Sequence, residues 1–403
     1  MLSLKKIGPG LLFAGAAIGV SHLVQSTRAG ADFGLGLLWA LILVNVFKYP
    51  FFQFGPRYAS ATGESLLEGY NKLGKSVLIA YFVLTCTTMF TIQTAVTIVT
   101  AGLASSLFGG VISIKLWTII ILILSGAILF FGKYKLLDRL MKIIIVTLTI
   151  STILAVIIAF LKTNNQLSIV QILPKGSIEI SFLIAFMGWM PAPLDISVWH
   201  SLWTVEKKKS ERLMTPKVSL FDFNIGYITA IFLGIGFLLL GALVMFKSGQ
   251  NFSNKAGEFS HQLITMYANS LGNWSYIIIG IAAFTTMFST TLTTLDASPR
   301  AMSKTVELLT NKKQKLGYVF WILILILGTL FIFFVFASEM GLLIKIATIL
   351  SFITAPFYAI INYILICSKH TPEHWKPSKP LHILSILGII FLISFSIWYL
   401  TIL

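Results

Sequence analysis

The chain has 403 residues, of which 57% are hydrophobic and 11% charged, with a mean hydropathy of +0.90. That composition excludes an ordinary soluble domain and describes a polytopic membrane protein. The net charge of +16 is not a sign of nucleic-acid binding, because the basic residues sort by membrane side once the spans are placed.

Apolar runs of spanning length fall at 8–30, 35–56, 76–105, 114–131, 137–161, 178–203, 223–246, 274–295, 318–336, 342–367 and 381–401. With a cytoplasmic amino terminus, 22 of the 30 Lys and Arg residues sit on inside segments, including Lys5, Lys6, Arg57, Lys207, Lys208 and Lys209. Only Arg28, Lys115, Lys162, Lys175, Lys247 and Lys255 fall outside. The positive-inside rule therefore predicts a multi-pass plasma (inner) membrane protein, amino terminus cytoplasmic and carboxyl terminus outside, with the lipid bilayer as its first partner. The first span starts too close to Met1, and lacks too clearly a small-residue cleavage site, to read as a removable signal peptide. Residues 1–403 form a single transmembrane transporter domain in this reading. Cys86 and Cys367 fall inside spans and define neither a disulfide framework nor a metal cluster.

The first span is interrupted at Gly19, Val20 and Ser21, just before His22. The sixth is interrupted at Met190, Pro191, Ala192 and Pro193. Two apolar segments broken at matching places point to a midplane binding site, because unwound backbone offers carbonyls and half-helix ends to a cargo. The pattern predicts an all-α 5+5 inverted repeat, with repeats at about 8–161 and 178–367, discontinuous helices 1 and 6, and an eleventh helix at about 381–401. Spans three and eight carry matching polar stripes, TCTTMFTIQTAVTIVTAG and FTTMFSTTLTTLDAS. Such hydroxyls either line a path between helices or bond to their own helix backbone. Two surface helices are expected, 62–70 with Thr62 at its start and 258–271 on the opposite side.

Ionisable groups at bilayer depth are scarce, and each points to function because leaving it unpaired there is costly. Asp195 follows the second break, as a cargo ligand, a proton carrier or a cap for the restarting helix. His22 closes the first break and faces the presumed cavity, where imidazole binds borderline metals. Met190 at the second break offers a thioether suited to softer transition metals, and a packing role as the alternative. Lys48 is read as snorkelling towards the inner interface, with an internal acid such as Asp195 as the other possible partner. His200 is expected to make a structural hydrogen bond. No GxxxxGK[ST] loop and no HExxH motif occurs, so the sequence reads as a secondary transporter and not an enzyme.

Several segments, in order, make the chain resemble the natural resistance-associated macrophage protein family of divalent metal transporters. They are Gly8–Gly10 (GPG), the stretch from Gly34 through LLWALILVNVF, Ala61–Leu66 (ATGESL), Met190-Pro191 and Ser289–Leu295 (STTLTTL). The resemblance implies the LeuT-like fold, alternating access and proton-coupled uptake of manganese or a related ion. The chain departs from the family pattern at the chemistry. Gly19, Val20, Ser21 and His22 stand where the family carries Asp-Pro-Gly-Asn; Met190, Pro191 and Ala192 stand for Met-Pro-His; and Gln93 and Val96 occupy acidic positions of span three. The expected substrate site is Gly19, Val20, Ser21, His22, Met187, Met190, Pro191, Ala192 and Asp195. His22 and Met190 are its candidate metal ligands, and carbonyls near Gly19 and Met187 complete the shell. A divalent metal ion is expected as substrate, with no cofactor and no nucleic-acid partner. The alternatives are a small organic solute or anion, and a non-transporting sensor.

Overall fold

The computed structural model describes residues 8–109, 112–162, 167–210, 215–246, 252–336 and 340–401; Lys5, Lys6 and Lys247 lie outside them. The helices in chain order are α1 (Pro9–Ala17), α2 (Ser21–Phe33), α3 (Leu38–Thr62), α4 (Leu66–Leu73), α5 (Lys75–Leu107), α6 (Ile114–Lys162) and α7 (Ser177–Trp189). They continue with α8 (Ile196–Ser210), α9 (Pro216–Val244), α10 (Ala256–Leu271), α11 (Ser275–Thr310), α12 (Gly317–Phe336), α13 (Met340–Cys367) and α14 (Lys379–Leu400).

Nine stretches among the described residues are long and apolar enough to cross a bilayer, and α1 with α2 makes a tenth, bent by 46° at its break. The other broken segment pairs the apolar 13-residue α7 with α8, whose last turn carries Lys207, Lys208 and Lys209. Two boundaries differ from expectation. Runs 114–131 and 137–161 belong to one continuous helical backbone, α6. The eighth span continues well past Pro299 to Thr310, where Lys304 pairs with Glu307 and with Glu68 of α4.

The expected surface helices are present, with one shifted start. Ser65 and not Thr62 caps α4: its backbone amide donates to Glu68 at 2.7 Å in a capping box, while Thr62 belongs to the last turn of α3 and Gly63 ends that helix at φ 80°. Burial of Tyr70 on α4 pushes its phenol well above the ordinary tyrosine range, and its hydroxyl donates to Asn362.

The packing has the pairing expected of two related halves. The first broken helix lies along α9, the second packs its α8 half on α3 and its α7 half on α13, and α5 and α11 pack against each other at the centre. α3, α5 and α11 are the more buried spans, 61%, 61% and 67%, whereas α6, α12 and α14 turn most of their apolar surface to lipid. Close backbone approach makes the first contact possible. A Cβ on Gly10 would lie 2.0 Å from the Asp222 carbonyl oxygen, and one on Gly226 would lie 2.0 Å from the Gly10 carbonyl oxygen. The Asp222 carboxylate also accepts from the amides of Gly8 (3.1 Å) and Gly10 (2.7 Å), which caps the start of α1 from a neighbouring helix.

Candidate functional site

A small cavity lies between the two breaks, lined by Ala16, Ala17, Val20 and Ser21 of the first, Trp189, Pro193, Ile196 and Trp199 of the second, and Ile92, Val96, Thr290 and Thr294 of the central pair. About 20 Å³ of it admits water-sized spheres, room for one such group. No charged side chain lines it. Of its polar side chains, only the Trp199 indole N–H lacks a partner among the described residues.

At the first break, helical bonding lapses after Ala17 and resumes as a π-helical turn over Ser21–Ser26. The carbonyls set free are met by hydroxyls. Ser21 Oγ lies 2.9 Å from Ala17 O, and Thr290 Oγ1 lies 3.1 Å from Gly15 O and 3.2 Å from Ile18 O. The Gly19 carbonyl accepts the amides of His22 (3.1 Å) and Leu23 (2.9 Å). His22 is fully buried, and its ring turns to α9: Nε2 is 2.9 Å from Ala230 O, and Nδ1 is 2.7 Å from Ser21 Oγ. A carbonyl only accepts, so Nε2 carries the proton, and in the neutral ring Nδ1 shares the one Ser21 hydroxyl proton with the Ala17 carbonyl.

At the second break the groups that satisfy the carbonyls are different. The peptide bond between Met190 and Pro191 is cis. Lys48 is fully buried, and its Nζ donates to the carbonyls of Met187 (2.8 Å), Gly188 (2.8 Å), Met190 (3.1 Å) and Ala192 (3.3 Å). Snorkelling is therefore incorrect: the end of α7 leaves carbonyls without helical partners, and the ammonium satisfies them where it stands. The Pro191 carbonyl lies 3.4 Å from Ser21 Oγ, which joins the two breaks directly.

The expected site residues thus divide among several surroundings. Val20 and Ser21 line the central cavity, whereas His22, Met187, Met190, Pro191 and Ala192 are not part of its lining. Gly19 packs against Thr290, and the Met190 sulfur packs against α9, 3.2 Å from where a Cβ on Gly234 would lie. Asp195 lines a second, narrower space with Thr88, Ser351, Thr354 and Tyr358, separated from the first by Ile92 and Pro193, which border both. Its Oδ1 has no partner among the described residues, and no cluster of three or more His, Cys, Asp or Glu able to hold a metal occurs among them. His200 corrects a second expectation: its ring nitrogens have no hydrogen-bond partner there, and it packs instead between Phe13 (5.6 Å) and Phe223 (5.7 Å).

The two polar stripes do meet. Gln93 accepts from Thr294 Oγ1 (2.6 Å) and donates to Thr291 O (3.3 Å), and Thr100 and Thr291 share a 2.8 Å hydrogen bond. Most other hydroxyls of these stripes bond to their own helix, as Thr94 does to Phe90 O and Thr286 to Ala282 O. Sequence reasoning missed Asp222 as a cap and Lys48 as the partner of the second break.

Two broken helices that meet at a central cavity define a secondary-transporter architecture. Solved structures agree on the fold: a manganese transporter of Eremococcus coleocola superposes with TM-score 0.73 at 15% identity, covering 96% of this chain and 84% of that one. The nucleobase-cation-symport-1 transporter Mhp1 in a closed conformation superposes with TM-score 0.63 at 14% identity, covering 98% and 92%. The fold is thus LeuT-like, two inverted five-helix repeats with α14 added. The chain belongs to the natural resistance-associated macrophage protein (Nramp) family of membrane transporters, whose model matches residues 10–401. It is also 36% identical over 399 residues to an uncharacterized protein of Pasteurella multocida, covering 98% of this chain and 91% of that one.

Proposed function

We propose that this Nramp-family chain is an alternating-access secondary transporter that carries a divalent metal ion, manganese or a related ion, through the cavity between its two breaks. Family membership across residues 10–401 is the observation that carries this reading. The cargo enters where Ser21 joins the breaks, and Met190 and His22 become ligands only if they turn from their present partners towards the cavity. Without a carboxylate in its wall, such a site binds a dehydrated divalent ion weakly. The test is flux: proteoliposomes should take up manganese, iron, cobalt or cadmium faster than empty liposomes, and equal rates for all four contradict the proposal.

A second reading, a small anionic or neutral organic solute, is favoured by the cavity wall. Among the described residues its unpartnered polar side chain is a donor, the Trp199 N–H, and no carboxylate lines its wall. A ligand screen by thermal shift separates the readings, because only one predicts that metals alone stabilise the protein. The amino terminus is proposed to be cytoplasmic, so a cysteine at position 208 should react with a membrane-impermeant reagent only from the inner side.

A further inference from the structure

The second break holds a buried ammonium in an environment that proteins otherwise use for free cations. α7 ends at Trp189, so the carbonyls of Met187 and Gly188 belong to its last turn and point out of the helix at the negative end of its dipole. The chain then turns back, and the carbonyls of Met190 and Ala192 close around the same point. Four oxygens from six consecutive residues surround Lys48 Nζ at 2.8–3.3 Å. An ammonium has three hydrogens for these four acceptors, so the arrangement is closer to ion coordination by carbonyl dipoles than to a set of single hydrogen bonds. No carboxylate lies within ion-pair distance of Lys48 among the described residues. The carbonyls themselves therefore supply the first-contact stabilisation of a charge that α3 carries into the bilayer interior.

We propose that the backbone of residues 187–192 is a monovalent-cation cradle whose resident ion is the tethered ammonium of Lys48. The cradle is thus closed to cargo and would accept a free ammonium-type or alkali cation if the tether were removed. The inference goes beyond the transport reading, since it holds whatever the cargo is, and it also explains the burial of Lys48 beside a proline-broken helix. A lysine arm is covalently supplied, so the break remains satisfied at any external ion concentration, whereas a free ion would leave in dilute solution.

The test uses the full-length protein in detergent, read by thermal unfolding in choline chloride, potassium chloride, ammonium chloride or methylammonium chloride at equal ionic strength. Lys48→Ala removes both the charge and the arm, while Lys48→Met keeps comparable bulk and removes only the charge. In choline, both variants should unfold below the wild type, by on the order of 5 °C or more. Ammonium or methylammonium should return Lys48→Ala towards the wild-type midpoint with saturating dependence, leaving Lys48→Met and the wild type unmoved. Equal midpoints for wild type and Lys48→Met, or a Lys48→Ala midpoint that no small cation raises above its value in choline, overturn the proposal. Should Lys48→Ala not survive purification, the monodisperse fraction recovered from membranes solubilised in methylammonium or in choline makes the same comparison. More protein in methylammonium supports the cradle, and equal or no recovery in both overturns it. Neither readout depends on flux, so failure here is distinguishable from failure of the transport reading.

Discussion

The two breaks occupy corresponding places in the two halves of the molecule and are stabilised by opposite means. At the first, freed carbonyls are met by neutral hydroxyls, Ser21 from within the break and Thr290 from α11, and the neighbouring imidazole of His22 is tied to Ala230. At the second they are met by one charged group, Lys48, delivered from α3. The difference teaches that a break in a membrane helix is not by itself an open ligand set. Its carbonyls must be satisfied in some way, and the groups that satisfy them determine whether cargo can replace them. Small hydroxyls exchange partners readily; an ammonium among four carbonyls is costly to displace.

That contrast ranks the effects of substitution. Lys48→Met should be the most damaging, by about 3 kcal/mol or more, because it leaves four buried acceptors without a donor; a thermal midpoint equal to that of the wild type would erase the contrast. His22→Ala should cost less, about 2 kcal/mol, from two lost hydrogen bonds and a small cavity, and should not raise metal affinity measured by calorimetry. A loss larger than that of Lys48→Met would reverse the ranking. Thr290→Val removes one hydroxyl shared between carbonyls of α1 and its own helix and should cost about 1 kcal/mol, with Thr290→Ser close to the wild type. Chelation by EDTA should leave the unfolding midpoint unchanged, since the described residues include no three-ligand metal cluster and the second break is already filled.

Much of the scaffold was legible in the sequence. Apolar runs are long and periodicity hardly matters when lipid surrounds a helix, so the spans emerge from hydropathy alone, and the breaks emerge from Gly19 and from Pro191 and Pro193. Side-chain direction was not legible. His22 sits at the first break as expected, yet one residue's rotation about the helix turns it to α9 while Ser21 lines the cavity. Lys48 was read from its distance to the interface, although the more informative signal was a set of orphan carbonyls at the other break that required a donor. Asp222 as a cap for α1 was hidden because its partners, Gly8 and Gly10, lie more than 200 positions away. Short-range features behaved in the opposite way: the capping box of Ser65 and Glu68 was within reach of a closer reading, three residues beyond the start assigned at Thr62.

The central claim, that the second break holds its own cation and the first does not, has a direct test in crystals of the wild type and of Lys48→Ala soaked in rubidium. An anomalous peak among the carbonyls of Met187, Gly188, Met190 and Ala192 in the variant, with none there in the wild type, is the predicted result. A peak at those carbonyls in the wild type, or none in a variant whose carbonyls keep their positions, would contradict it.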